Sequence, residues 1–411
     1  MKNLKYKILY IIVFVILILF PVISKTIGID NDLFGVEYEA KLEAFNLHNL
    51  LDFSFQDSLD NFIKQKLPGK ALLARCRNQI LYSLFGVSSN YSLNISAKGN
   101  IVFDETMDYF YHGLHEVDDK YIDELVTKLN TLNNILKSKN ADLVLFITTT
   151  KSRYIENKDP LLDKNPRYDN DFVLVDEYLT KHSSFDNKKY ELPYNKFINK
   201  LKTTDIKTFD CVEYISNQDS VYDDGKYLIY MPALYWVPLY YNTSHHWSNV
   251  IGNKIGIDFL DYLSKNTKVK FSKLKQSIEP TDTPVFPDSD IYDLCNVLAK
   301  PKDNYYKSNI KIVDNNHSNS SIIIRGGSYL GQVPFIQGMM GESNVFFMSN
   351  TDVFKDNWQT TMTVTDYDQV DFRPYTKDID LIVLEINEVN IYNATFEFLD
   401  YLLDNKDILF K

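Results

Sequence analysis

The sequence predicts an α/β domain with a mostly parallel sheet, and three observations predict it. Amphipathic helical stretches alternate with short, continuous apolar runs from Asp118 to Asn390. Those runs lack the polar–apolar alternation of a half-solvated sheet, as strands covered on both faces do. One of them, SIIIRGGSYLGQ, passes through Gly326-Gly327-Ser328 into a stretch that reads as a helix.

The elements follow in order. MKNLKYK carries Lys2, Lys5 and Lys7, and ILYIIVFVILILFPVIS follows without a charge. A basic flank before such a run predicts an N-terminal anchor helix over residues 1–25. A cleaved signal peptide is the competing reading, but PVISKTIG offers no small-x-small cleavage site. The lysines should stay cytoplasmic, which puts the rest of the chain in an extracytoplasmic (periplasmic or extracellular) compartment. Residues 26–50 read as a polar stalk and residues 51–411 as the main domain. That domain opens with two short helices broken at Pro68-Gly69. NISAKGNIVFDETMDYF reads as a hairpin around a Gly turn.

From Asp118 the helical period is clear. Ile122, Leu125, Val126, Leu129, Leu132, Ile135 and Leu136 line one face, with Asp118 and Asp119 where an N-cap belongs. ADLVLFITTTK follows as a buried strand. The pair recurs as YNKFINKLKTT and DIKTFDCVEYI. HWSNVIGNKIGIDFLDYLSK reads as another helix, and SNVFFMSN and DIDLIVLEINEVN as two further buried strands. Residues 155–192 and 265–318 read as long loops.

Composition narrows the function. The 411 residues carry a formal charge of −11, which argues against a nucleic-acid backbone as the main partner. Cys76, Cys211 and Cys295 are scattered singles with no CxxC or metal spacing. No organic cofactor or metal is suggested.

Two stretches carry chemistry. Gly326-Gly327-Ser328 sits where α/β enzymes display a nucleophilic serine on a strand-to-helix turn, with backbone N–H groups that can hold an oxyanion. The same pattern also suits a plain helix N-cap. A serine needs a base, and the pair His245-His246 before Trp247 offers one. Zinc is disfavoured, because adjacent histidines point apart and no HxxxH or Cys cluster completes a tetrahedral site.

In chain order these blocks resemble the AlgJ/AlgX-like family of alginate O-acetyltransferases, of the SGNH hydrolase superfamily, over roughly residues 50–395. KGNIVFDETMDYF resembles its G-x-D-G-W-L-F segment, and FITTTKSRYI its strand ending in P-x-K. SHHW resembles its D-T-H-W motif, RGGS its G-D-S block and LIVLEINE its closing strand with Glu-Arg. The His motif precedes the Ser block, the reverse of most SGNH enzymes.

The resemblance implies a three-layer α/β/α SGNH-hydrolase-like fold behind the anchor. It implies an acetyl-transfer activity on a cell-envelope or exported polysaccharide, beside a multi-spanning membrane acyltransferase. Ser328 would be the nucleophile and His246 its base. The family's orienting Asp falls on Ser244, which can accept a hydrogen bond but carries no charge. Gly327 replaces the Asp of the Ser block, and Val389 the closing Arg. Lys151, His245, Trp247 and Gly327 are expected around the substrate. A substitute acid, Asp223 or Asp224, is one way to restore the site. The alternatives are a catalytically inactive glycan-binding or assembly scaffold and a small-ester acetylesterase.

Overall fold

The computed structural model describes the chain outside residues 1–5, 7, 9, 12–13, 16–18, 21–22, 27–31, 37–40, 97, 112–114, 116, 155–190, 224–225, 232–234, 316, 339–343 and 356–358. The chain divides into two compact units, Met1–Tyr91 with Ile291–Pro301, and Ser92–Asp290 with Lys302–Lys411. Residues 51–91, which the sequence pattern joins to the α/β domain, therefore group with the N-terminal residues.

In the first unit, α1 (Ser54–Lys66) and α2 (Lys70–Phe85) are separated at Pro68-Gly69. Gly69 takes φ +78, and a Cβ there would lie 2.4 Å from Phe20 Cε1, so both the turn and the close approach need glycine. The anchor expected over residues 1–25 falls largely on residues outside the described set. Among the described residues no helix is long and apolar enough to cross a membrane.

The second unit opens with an antiparallel hairpin, β1 (Leu93–Ile95) and β2 (Ile101–Phe103). Helix α3 (Asp119–Ser138) follows, its Asp118 side chain accepting from the Tyr121 N–H at 2.7 Å as an N-cap. Next come β3 (Asp142–Thr148), α4 (Pro193–Leu201), β4 (Lys207–Asp210) and α5 (Cys211–Ser216). A three-stranded antiparallel sheet, β5 (Ser220–Asp223), β6 (Lys226–Met231) and β7 (Tyr235–Pro238), leads into α6 (Asn249–Asn266). The remaining strands are β8 (Lys273–Thr281), β9 (Tyr305–Asp314), β10 (Ser321–Gly326), β11 (Asn344–Ser349), β12 (Asp352–Lys355), β13 (Gln359–Thr363) and β14 (Ile379–Asn387). Helix α7 (Phe398–Asp404) follows.

The main sheet has the order β13-β12-β11-β10-β14-β3-β4. Strands β11, β10, β14, β3 and β4 are parallel, and β12 and β13 close one edge antiparallel. The last strand of the chain thus lies at the centre, between β10 and β3. Successive side chains alternate between the two faces. Leu145, Ile147, Ile323 and Leu384 pack with Leu129, Phe197 and Phe398 of α3, α4 and α7. Val144, Phe146, Ile324 and Val383 pack with Ile215 and Phe259 of α5 and α6. The result is three layers, α/β/α, with each fully buried Leu, Ile or Phe worth about 1.5–3 kcal/mol.

Several expected elements differ. The hairpin read over NISAKGNIVFDETMDYF ends at Phe103 and Asp104–Tyr111 is helical, and the strand read over DIKTFDCVEYI ends at Asp210, where α5 begins. Residues 265–318 contain the β8–β9 hairpin rather than only loop. The stretch after Gly327 is a 3-10 turn, Ser328–Gln332, and then a separate short helix, Phe335–Gly338. Pro334 lacks the N–H that a continuous helix would need there. Nearly all of the loop expected at 155–192 lies outside the described residues.

Candidate active site

The carboxyl ends of β10, β14 and β3 meet at one rim of the sheet, the edge where open α/β folds bind ligands. Ser328 follows β10 there and is exposed, while its neighbours Tyr329 and Leu330 are buried. The turn beneath it is crowded. A Cβ on Gly326 would lie 2.4 Å from Glu385 Cβ, so β10 can pass the central strand only as glycine. The Gly327 N–H donates to the buried Glu385 carboxylate, and the Gly327 carbonyl accepts from Ser349 Oγ at 2.7 Å. Thr148 also donates to Glu385. Burial raises the Glu385 pKa, against the opposing pull of these hydrogen bonds.

His246 reaches the serine. Its Nε2 lies 2.6 Å from Ser328 Oγ. Its Nδ1 bonds the Asp290 carboxylate, whose other oxygen accepts the His245 backbone N–H at 2.7 Å. Burial pushes the Asp290 pKa up, but the hydrogen bond and charge of His246 and the His245 N–H outweigh it and hold Asp290 below the usual carboxylate range. Asp290 is therefore ionised at neutral pH and can only accept. That fixes the tautomer: the proton sits on Nδ1, and the Nε2 lone pair faces the serine hydroxyl. Ser328, His246 and Asp290 form the geometry of a nucleophile, its base and the acid that orients the base.

The loop bearing Asp290 is stitched around the histidines. Two residues earlier, Asp288 accepts the Asn249 N–H at the start of α6 at 2.7 Å, and its carbonyl accepts Thr243 Oγ1 at 2.8 Å. Asp288 is fully buried and its second carboxyl oxygen has no partner. Burial raises its pKa to about 8, so it is a neutral acid at pH 7.

The expected site residues separate into those at the reacting groups and those behind them. Ser244 was the position of the orienting group, but its buried hydroxyl donates to the His246 carbonyl at 2.8 Å, and the ring's Nδ1 partner is Asp290. Asp223 lies on β5 opposite Lys226, and Asp224 is outside the described residues. Lys151, expected at the substrate, is buried, and its Nζ donates to the carbonyls of Ile101, Tyr241, Asn242 and Ser244 at 2.8–3.1 Å. Burial pulls its pKa well down. It is a clamp on the loop that carries His246. Trp247 is likewise no substrate contact: it is fully buried, edge-on to Tyr329 with centroids 4.6 Å apart.

His245 packs its ring edge-on to Phe103, with centroids 4.9 Å apart. Burial and the charge of His246 lower its pKa to about 3, so it stays neutral. Gly327 offers no free N–H to a substrate, because Glu385 takes it. Glu385 and Glu388 serve different partners: Glu388 bonds Thr149 and Arg153 and accepts the Thr150 N–H at 2.9 Å. Arg325 donates to the Gly326 carbonyl at 2.6 Å and to Tyr367 at 3.0 Å. Asn350 is exposed, left-handed at φ +50, and bonds the Gly326 carbonyl through its backbone N–H at 2.8 Å, which sets it beside the serine turn.

Neither a protein-family model nor a curated protein matches the sequence. Solved structures do match, at low identity. The O-acetyltransferase domain of AlgJ from Pseudomonas putida is 12% identical, with a TM-score of 0.39 over 76% of this chain and 99% of its own. AlgX from Pseudomonas aeruginosa is 14% identical, with a TM-score of 0.38 over 75% of this chain and 66% of its own. PatB1 from Bacillus cereus, solved with a sulfonyl adduct, is 11% identical, with a TM-score of 0.37 over 74% of this chain and 98% of its own.

Proposed function

We propose that the protein is an acyltransferase that carries an acetyl group on Ser328 and passes it to a sugar hydroxyl of a cell-envelope or exported polysaccharide. The observation that carries this reading is the contact of His246 Nε2 with Ser328 Oγ, its other nitrogen held by Asp290. His246 takes the Ser328 proton as the oxygen attacks the acyl carbonyl of the donor. The leaving group departs with that proton, and the acyl group stays as an ester on Ser328. The acceptor hydroxyl then gives its proton to His246, attacks the ester carbonyl and releases Ser328, which recovers the proton. On this reading the Ser328 backbone N–H and the Asn350 side-chain NH2 would be the donors to the oxyanion.

The acceptor class is supported by the motif resemblance and by one surface feature. Trp236 is exposed on β7, and the Tyr230 ring stands 5.4 Å from it on β6. Flat aromatic faces of this kind stack on sugar rings. Strand β7 runs directly into the loop that bears His246. The charge-free run of residues 8–24 behind three lysines supports an extracytoplasmic site beside a membrane acyl donor. The inactive-scaffold alternative rested on a missing orienting acid, and the contact of Asp290 with His246 Nδ1 supports the active reading over it. The test is release of p-nitrophenol from its acetyl ester by the full chain. Turnover is expected in the parent and at background in Ser328→Ala and His246→Ala. Background turnover in all three folded proteins, with the natural donor also inert, would reject the reading.

A further inference from the structure

We infer that α1 and α2 of the first unit form a docking surface for an anionic phospholipid bilayer. The sequence from Asn61 to Phe85, NFIKQKLPGKALLARCRNQILYSLF, holds five cations and no acid, in a chain whose formal charge is −11. On α2, Leu73, Ile80 and Leu84 recur one and two turns apart, along one stripe with Arg77. They stay 48%, 55% and 73% exposed, and Phe85 at the helix end is 66% exposed. Ile63 and Leu67 extend the apolar exposure across the Pro68-Gly69 break. Lys64 binds Asp60, an exposed contact one turn earlier, Lys70 donates to the Lys64 carbonyl, and Arg75 donates to the Asp32 carbonyl at 2.5 Å. An exposed apolar stripe flanked by cations is the pattern of a helix lying in a membrane interface.

Two further observations choose the occupant. Five cations facing five cations would repel in a face-to-face pairing of two copies, whereas they suit an acidic lipid surface. The apolar N-terminal run also touches the helix pair: Gly69 sits against Phe20 and Ser24, and its lack of a Cβ permits the contact. A bilayer that held Phe20 and Ser24 would therefore lie beside the break between α1 and α2. This surface is independent of the acyl-transfer chemistry.

The test uses the full chain with vesicles of phosphatidylcholine alone or containing phosphatidylglycerol, each with a trace of lipid bearing a diazirine in the acyl chain. After irradiation, label is read in the peptide of residues 71–85. At least about tenfold more label is expected with the anionic vesicles. The excess should vanish in the full chain carrying Lys64→Gln, Lys66→Gln, Lys70→Gln, Arg75→Gln and Arg77→Gln. A second variant, Ile80→Asp with Leu84→Asp, should lose label in both lipids while its circular dichroism is unchanged. Residues 8–24 are identical throughout, so the comparison reads the helix pair alone. Equal labelling in the two lipids, or no label in this peptide, would overturn the inference.

Discussion

Replacing Lys151 by methionine separates two roles for this residue. Its ammonium has three protons and four carbonyl acceptors, from Ile101, Tyr241, Asn242 and Ser244. The Lys151→Met variant keeps the stem volume and removes the donors. At least three carbonyls lose a charge-assisted bond worth about 1.5–3 kcal/mol each. Methionine has no charge to desolvate on folding, which offsets several kcal/mol of that sum. The net loss is about 2–4 kcal/mol, which lowers Tm by about 3–6 °C for a unit of about 300 residues. Three of the four carbonyls lie within residues 241–244, just before His246, so the base loses its fixed position too. Thermal unfolding by circular dichroism and p-nitrophenyl acetate turnover would be measured together. The clamp role predicts a lower Tm, and a kcat reduced at least tenfold (about 1.4 kcal/mol) with little change in KM. A Tm within about 1 °C of the parent, with only KM raised, would refute it and restore Lys151 as a substrate contact.

Three other outcomes follow from the same structure. Asp290→Asn keeps the shape of the side chain but lets its amide favour the wrong His246 tautomer, so kcat should fall by about 10³–10⁴ without loss of fold; a loss under tenfold in steady-state kinetics would remove Asp290 from the triad. Asp288 binds a proton in the folded state up to about pH 8, but in the unfolded chain only to about 3.8, so its contribution to stability is full below pH 4 and is lost as pH rises toward 8. The Asp288→Asn variant, whose amide oxygen still accepts the Asn249 N–H, should therefore lose less Tm between pH 5 and pH 8 than the parent, and an equal loss would show that Asp288 is not a buried acid. Trp236→Ala should slow acetylation of a polysaccharide acceptor, with p-nitrophenyl acetate turnover unchanged within twofold; equal effects on both would place Trp236 in the fold rather than at an acceptor path.

Much of the α/β core is written locally in the sequence. The helical period from Ile122 to Leu136 and the continuous apolar strands depend only on neighbours in the chain, and both appear as read. Ser328 and His246 were legible for the same reason, since each sits in a short motif beside a recognisable element. Asp290 was not. It lies 44 residues after His246, in a stretch that reads as loop, and PVFPDSDIYD looks like a solvated acidic turn. Contacts distant in sequence bring that turn to the histidines: Asp288 with the Asn249 N–H and Thr243, and Asp290 with the His245 N–H.

Lys151 is expected at the substrate from its strand-end position and Trp247 from its place in the His motif, and neither signal reveals burial, which is a property of the folded chain. Lysine at a strand end is usually solvated, but here four carbonyls from two distant segments converge on it. Glu385 escaped notice as a support for the serine turn because its partners, Gly327 and Thr148, come from two other strands. Register between strands distant in sequence is not visible in the sequence itself.

The most direct test of the account is the covalent intermediate. The full chain would be mixed with p-nitrophenyl acetate, quenched in acid within the first turnovers, and its intact mass and peptides read by mass spectrometry. One acetyl group on Ser328 is the predicted result, absent from Ser328→Ala and greatly slowed in His246→Ala. Turnover with no adduct on Ser328, or an acetyl group on another residue that survives Ser328→Ala, would contradict it.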